Sequence, residues 1–281
     1  MGLIQAIRKD DELIEEIRSG WADPDRFELW WLGQSGYLLR WNGRHVLIDP
    51  YLSDSLTEKY AQTEKPHVRM SEQVLAPEQL DFIDIVTSSH NHTDHLDAHT
   101  LKPVLERNAG IQFVIPEANR DFVANRVGCD PAFPIGLSKG TKVDIKGITV
   151  HGIPAAHNKL DTDEAGNYKC MGYVFEFGAF AIYHSGDTLW HEEIIDALEP
   201  FEIDLAILPI NGNKPERRVA GNLNPQEAVA FAQRIGAKMV IPCHYHMFEF
   251  NTEDPAVFER EATQAGQAYQ VLELGGRFRW G

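Results

Sequence analysis

The sequence predicts an α/β (α+β) fold in a single domain, on three observations. Short apolar runs that read as strands occur in both halves of the chain, and hairpin and helix-start signals lie between them. A length of 281 residues, 43% of them hydrophobic, is enough to bury one substantial core. Apolar residues are spread evenly, so one domain is expected over 1–281, with 1–26 as an N-terminal helical extension.

Leu13-Ile14-x-x-Ile17 has helical spacing and places an amphipathic helix ahead of the sheet. Tyr37–Trp41 and Arg44–Asp49 flank Asn42-Gly43, which supplies the positive φ angles of a type I′ turn, so this stretch is a hairpin. Phe82–Thr87 reads as a buried strand. Thr141–Ile145 and Ile148–His151 pair around Lys146-Gly147, and Tyr173–Phe177 and Phe180–Tyr183 pair around Gly178. Asn224-Pro225-Gln226-Glu227 combines an N-cap residue, proline at the first helical position and glutamate at the third, opening a helix to about Ile235. Asp254-Pro255 starts another, to about Ala265. No low-complexity tract or short-period repeat is present.

Composition narrows the function classes. Hydrophobic segments are short, so no membrane span is expected, and the acidic start Lys9-Asp10-Asp11-Glu12 argues against a secretory signal. Ala6 stands where myristoylation wants Ser or Thr, so a soluble cytoplasmic protein is the expectation. Three cysteines, Cys129, Cys170 and Cys243, are too few and odd in number for a disulfide framework. A net charge of −16 argues against nucleic acid as partner and leaves a small molecule, an anionic one included. A homo-oligomer is compatible with the sequence. Trp30, Trp31 and Trp41 are expected in the core; Trp190 is a candidate for the substrate entrance, with core packing as its alternative.

The run Ser89-His90-Asn91-His92-Thr93-Asp94-His95 places three imidazoles and a carboxylate directly after the expected strand Phe82–Thr87. A chance H-x-H-x-D-H in a chain this long is on the order of one in a thousand. In an extended chain His90 and His92 point the same way and can bind one ion, while Asp94 and His95 follow where the chain turns and can reach a second. Neutral imidazole and carboxylate suit zinc, manganese or iron. His157, Asp187 and His244 each follow a further strand-like run. Singly, each has a structural explanation in a hydrogen-bonded loop. Together they sit where sites gather in layered α/β folds. Cys243 faces away from the side that His244 faces, as alternation along a strand requires, and reads as a core thiol.

His90-x-His92-x-Asp94-His95, followed in order by His157, Asp187 and His244, resembles the metallo-β-lactamase superfamily. Trp30–Gly36, Tyr183–Asp187 and Val240–His244 resemble its L-ascorbate-6-phosphate lactonase (UlaG-like) branch, and the resemblance covers about residues 27–280. It implies a four-layer αββα sandwich with the metal site at one open edge of two facing sheets. It also implies two divalent ions, Mn2+ or Zn2+. His90, His92 and His157 would hold one, Asp94, His95 and His244 the other, with Asp187 as the bridge. Asp49 matches the superfamily's first motif and would hold the His-rich loop by hydrogen bonds, the alternative being a turn carboxylate before Pro50.

Water between two such cations is deprotonated near neutral pH and attacks an electrophilic carbonyl or phosphorus, with Asp94 placed to orient it. Lys214, Arg217 and Arg218 are candidates for attracting an anionic substrate. The proton donor to the leaving group is open among His246, Tyr245 and His184. His246 faces the cavity beside His244 if the chain stays extended, and merely caps the loop if it turns. Three functions follow: hydrolase of a lactone or similar ester, sugar-phosphate lactones included; binuclear phosphodiesterase; or non-hydrolytic metal-binding or redox protein.

Overall fold

The computed structural model describes residues 2–20 and 22–281; Met1 and Trp21, both within the expected N-terminal extension, lie outside the described residues. The first half runs α1 (Asp10–Arg18), β1 (Phe27–Gly33), β2 (Gly36–Trp41), β3 (Arg44–Ile48), α2 (Ser55–Tyr60), β4 (Ile85–Thr87), α3 (Ala98–Arg107), β5 (Gln112–Pro116), α4 (Arg120–Val127) and β6 (Ile135–Leu137). The second runs β7 (Lys142–Ile145), β8 (Ile148–Pro154), β9 (Met171–Phe177), β10 (Phe180–His184), α5 (Glu192–Leu198), β11 (Leu205–Pro209), α6 (Pro225–Arg234), β12 (Met239–Cys243), α7 (Pro255–Ala265) and β13 (Arg277–Trp280).

The strands form two sheets. A seven-stranded sheet has the order β13-β1-β2-β3-β4-β5-β6, and a six-stranded sheet the order β12-β11-β10-β9-β8-β7. One apolar core joins them, with Leu38, Val46, Val86 and Phe113 from the first and Val150, Phe175, Ile207 and Ile241 from the second. Each such side chain contributes about 1.5–3 kcal/mol by leaving water. Helices α5 and α6 pack on the second sheet and α7 on α6, while α3 and α4 pack on each other. Leu13 and Ile17 of α1 and Leu101 and Val104 of α3 are buried in the same core. The result is an αββα sandwich.

Local chemistry explains the elements. Asn42 and Gly43 have φ of 45° and 73°, the left-handed pair that a type I′ turn demands. In α6 the Asn224 side chain accepts from Glu227 N–H and the Glu227 carboxylate accepts from Asn224 N–H, closing a capping box. The strand expected over Phe82–Thr87 shortens to Ile85–Thr87. Asn108 Oδ1 takes the Ile83 N–H at 2.7 Å, so that donor is not available to a ladder.

Strand direction positions the site. β10, β11 and β12 are mutually parallel, and β8 is antiparallel to β9, which is antiparallel to β10. Hence β8, β10 and β12 all end at one edge of their sheet. In the other sheet β3 and β4 are parallel, and their ends bring Asp49 and the His-rich loop together. The two loops lock tightly. Gly186 has φ +60°, and a Cβ there would lie 2.6 Å from Ser89 Cβ, so only glycine lets the turn before Asp187 close onto the His-rich loop.

Candidate metal centre

After β4 the chain does not stay extended. The N–H groups of His95 and Leu96 both bond back to His92 O, at 3.1 and 2.8 Å, and this turn brings the His95 ring to 4.2 Å from that of His90, closer than His92 at 4.7 Å. His157 follows β8, Asp187 follows β10 and His244 follows β12 directly. All seven residues singled out by their spacing therefore converge. One candidate ligand atom from each of His90, His92 and His157 lies within 4.8 Å of the others, as it does for Asp94, His95 and His244 and for His90, His95 and Asp187. Asp187 stands between the triads: Oδ1 is 3.3 Å from His95 Nε2, and Oδ2 is 3.3 Å from His244 Nε2 and 3.6 Å from His157 Nε2.

Neighbouring groups set which imidazole nitrogen faces inward. Asp49 is fully buried and accepts from Ser89 N–H at 3.0 Å, from the Ser89 hydroxyl, and from His95 Nδ1 at 2.8 Å. Because the Ser89 hydroxyl donates to Asp49, it accepts from His90 Nδ1 at 3.0 Å. His157 Nδ1 donates to Gly221 O at 3.0 Å. Each ring thus presents Nε2 toward the cluster. Gln34 Nε2 donates to Asp94 Oδ2 at 2.8 Å, fixing that carboxylate.

The donor set fits divalent cations. Among the described residues His90 Nε2, His95 Nε2 and Asp187 Oδ1 are buried without a hydrogen-bond partner, and buried polar atoms are normally paired. The electrostatics agree. Burial lifts the Asp187 carboxyl, but His244 and His95 outweigh it and hold it well below the usual carboxylate range. Burial opposes charge on His95, yet Asp187, Asp94 and Asp49 raise its pKa well above the ordinary value; what draws a proton to Nε2 draws a cation. Burial, reinforced by His95 and His92, keeps His90 neutral, and burial pushes His157 down to about 4. Neutral imidazole is the ligating form.

Several expectations need correction. His244 and His246 have φ of 62° and 56°, so the chain turns instead of continuing extended, and His246 N–H bonds Thr252 Oγ1. The His246 side chain packs on Tyr245 and is not on the cavity wall, which removes the geometric case for it as proton donor. Tyr245 is buried and donates to Leu272 O; the buried His184 ring lies 3.0 Å from Ser35 O. Lys214 pairs with Glu253, and Arg217 donates to Asn211 O and Thr252 O, so of the three expected cations Arg218 alone lines the cavity. Trp190 lies edge-on to Phe231 and bonds Glu192, off the cavity wall. Cys243 is buried beside Ser35, as alternation required.

The constellation opens into a cavity of about 360 Å³. Its wall carries Lys59, Lys65 and Arg126 besides Arg218, and none of these four has a carboxylate within salt-bridge distance among the described residues. The sequence did not reveal the first three, nor His67 on the same wall, because they come from α2, the loop after it and α4 instead of strand ends. In the sequence they look like solvated charge.

The beta-lactamase superfamily domain family matches residues 44–245, a span that contains all seven converging residues. A UPF0173 metal-dependent hydrolase from Methanosarcina mazei is 28% identical over 246 residues, covering 86% of this chain and 93% of its own. A probable L-ascorbate-6-phosphate lactonase UlaG from Escherichia coli is 24% identical over 303 aligned positions, covering 95% of this chain and 85% of its own. The structure of Igni18, a metallo hydrolase from Ignicoccus hospitalis, superposes with a TM-score of 0.65 at 22% identity, covering 91% of this chain and 99% of that one. With the sandwich, the convergent His/Asp set and this match over most of its length, the chain belongs to the metallo-β-lactamase superfamily.

Proposed function

We propose that this chain is a metal-dependent hydrolase that opens a lactone or similar ester, with anionic substrates such as sugar-phosphate lactones favoured. The observation that carries the reading is the set of buried ligand atoms without donors, His90 Nε2, His95 Nε2 and Asp187 Oδ1, at the base of a solvent-reaching cavity. His90, His92 and His157 would hold one ion, Asp94, His95 and His244 a second, and Asp187 would lie between them. When bound, divalent ions of the Zn2+ or Mn2+ class supply Lewis acidity and bring the pKa of a water toward neutrality.

The chain's own groups do the rest. Gln34 holds Asp94 in place to orient the attacking water, and Asp49 keeps His90 and His95 in the required tautomers through Ser89 and directly. Lys59, Lys65, Arg126 and Arg218 give a chain of net charge −16 a locally positive wall, which suits an anionic substrate. The names of the two sequence relatives support the reading.

Binuclear phosphodiesterase is the second reading, because the same four cations would serve a phosphodiester. Turnover of a lactone panel and of bis(p-nitrophenyl) phosphate, with each metal added back to stripped protein, separates the two. Lactone turnover restored by zinc or manganese is expected; phosphodiester turnover without lactone turnover would reverse the order.

A further inference from the structure

The leaving group's proton has no assigned carrier, since Tyr245, His184 and His246 are all engaged elsewhere or off the cavity. His67 lies on the wall of the same cavity as Asp94, Asp187 and His244. Its Nδ1 is 3.1 Å from the carbonyl oxygen of Lys65; a carbonyl only accepts, so Nδ1 carries the hydrogen and Nε2 is a lone pair. Among the described residues Nε2 has no hydrogen-bond partner, and it is not sealed from solvent. The ring is also clamped. Tyr60 stacks on it at 4.2 Å and 20°, Phe248 and Phe250 pack edge-on at 5.1 and 4.6 Å, and Thr57 Oγ1 bonds the His67 carbonyl at 2.8 Å. A histidine that only caps a loop needs no such box. Burial lowers its pKa, Lys59 and Lys65 add to this, and the Lys65 carbonyl and Asp94 oppose it, so the ring is neutral at pH 7 and free to accept a proton.

We propose that His67 is the proton shuttle of the hydrolysis, a role that rests on the ester-hydrolase reading. As the water oxygen bonds to the carbonyl carbon, the carbonyl π electrons move to its oxygen and one water proton passes to His67 Nε2, giving an imidazolium. As the adduct collapses, the oxyanion's electron pair re-forms the carbonyl, and the bond from that carbon to the leaving oxygen breaks with its pair staying on the leaving oxygen. Nε2 returns the proton there, the ring is neutral again, and a lactone yields one hydroxy acid whose carboxylic acid ionises to solvent. The residue matters most for substrates whose leaving group is an unactivated alkoxide.

The test uses zinc-loaded protein, wild type against His67→Phe, which keeps the aromatic stack, and His67→Gln. γ-Butyrolactone needs its leaving alkoxide protonated; 4-nitrophenyl acetate expels a stable phenolate. Both variants are expected to keep the wild-type metal content, to lose about 10²-fold in kcat on the lactone, which needs both proton transfers, and to lose clearly less on the nitrophenyl ester, which needs only the transfer from water. Nitrogen-15 NMR of the wild type is expected to show His67 as the Nδ1–H tautomer. Equal losses on the two esters, an undiminished lactone rate, or the Nε2–H tautomer would overturn the role and leave the hydrolase reading intact. A wild type that cleaves neither ester overturns the ester-hydrolase reading and the His67 role with it.

Discussion

Two clusters of buried charge lie in this sandwich, and they are built on opposite plans. On β1, β2 and β13, Glu28 faces Arg40 and Arg279 across the ladder; Arg279 Nε donates to Glu28 Oε1 at 2.6 Å and Arg40 donates to Oε2. Arg40 also donates to the carbonyl oxygens of Glu16 and Ile17. Burial lifts the Glu28 carboxyl, but the two arginines together bring it below its ordinary value. Every charge there has its opposite within the chain. At the strand ends around Asp187, His90 Nε2, His95 Nε2 and Asp187 Oδ1 converge buried and without a hydrogen-bond partner among the described residues. The first cluster is complete as protein; the second is complete only with a cation. Burial of charge does not by itself mark a site, and unmatched sign does.

Breaking each cluster should therefore give different phenotypes. The largest effect is expected at the strand ends. Asp187→Ala or His95→Ala should lower kcat/KM by more than about 10³-fold, beyond the loss of a single electrostatic contact, and should reduce bound metal while the circular dichroism spectrum stays native. Wild-type metal content in both variants would separate these residues from the ions.

Arg40→Ala is expected to do the reverse. Leaving Glu28 buried with one partner missing should destabilise the fold by about 3–5 kcal/mol, read by urea denaturation, with metal content and KM unchanged. A loss of metal in this variant would mean that the two clusters are coupled.

Asp49 joins the two plans, because it is a satisfied buried carboxylate whose partners are ligand residues. Asp49→Asn should weaken metal affinity by about 10–100-fold, and a metal titration with a competing chelator reads this. Unchanged affinity would make Asp49 the mere turn carboxylate that its place before Pro50 also allowed.

What the sequence revealed follows the same division. The seven converging residues were legible because four share one loop in which three imidazoles within six residues are rare by chance, and because His157, Asp187 and His244 each follow a strand-like run. The hairpin at Asn42-Gly43 and the capping box at Asn224 were legible because their chemistry is local. Strand β11 was not, since Leu205–Pro209 is buried throughout and shows no alternation. Nor was the cavity wall. Lys59, Lys65, His67 and Arg126 reach it through tertiary packing of α2, its following loop and α4, which no short-range spacing encodes. His246 could be read either way from the sequence, and the backbone, which turns twice into the left-handed region, takes the turned alternative.

The most localised expected effect is a pH slope at the edge of the arginine cluster. His45, the register neighbour of Arg40, has its pKa pushed down to about 4 by burial, with Arg40 and Arg18 adding and Asp84 opposing. Between pH 6.5 and about 4 the unfolded chain then binds the extra proton, so this contribution to stability is full above pH 6.5 and is lost as the pH falls. Its slope is about 1.4 kcal/mol per pH unit inside that window. His45→Gln should flatten the wild-type stability profile there by this amount. Parallel profiles would show that His45 is not held neutral by the fold.

The central claim, that the unmatched cluster is a two-ion site with Asp187 between the ions, is tested most directly by counting metal. Protein purified without chelator, stripped and then titrated with Zn2+ or Mn2+, should saturate at two ions per chain by inductively coupled plasma and native mass spectrometry. Saturation at one ion per chain, or no tight binding, would contradict it.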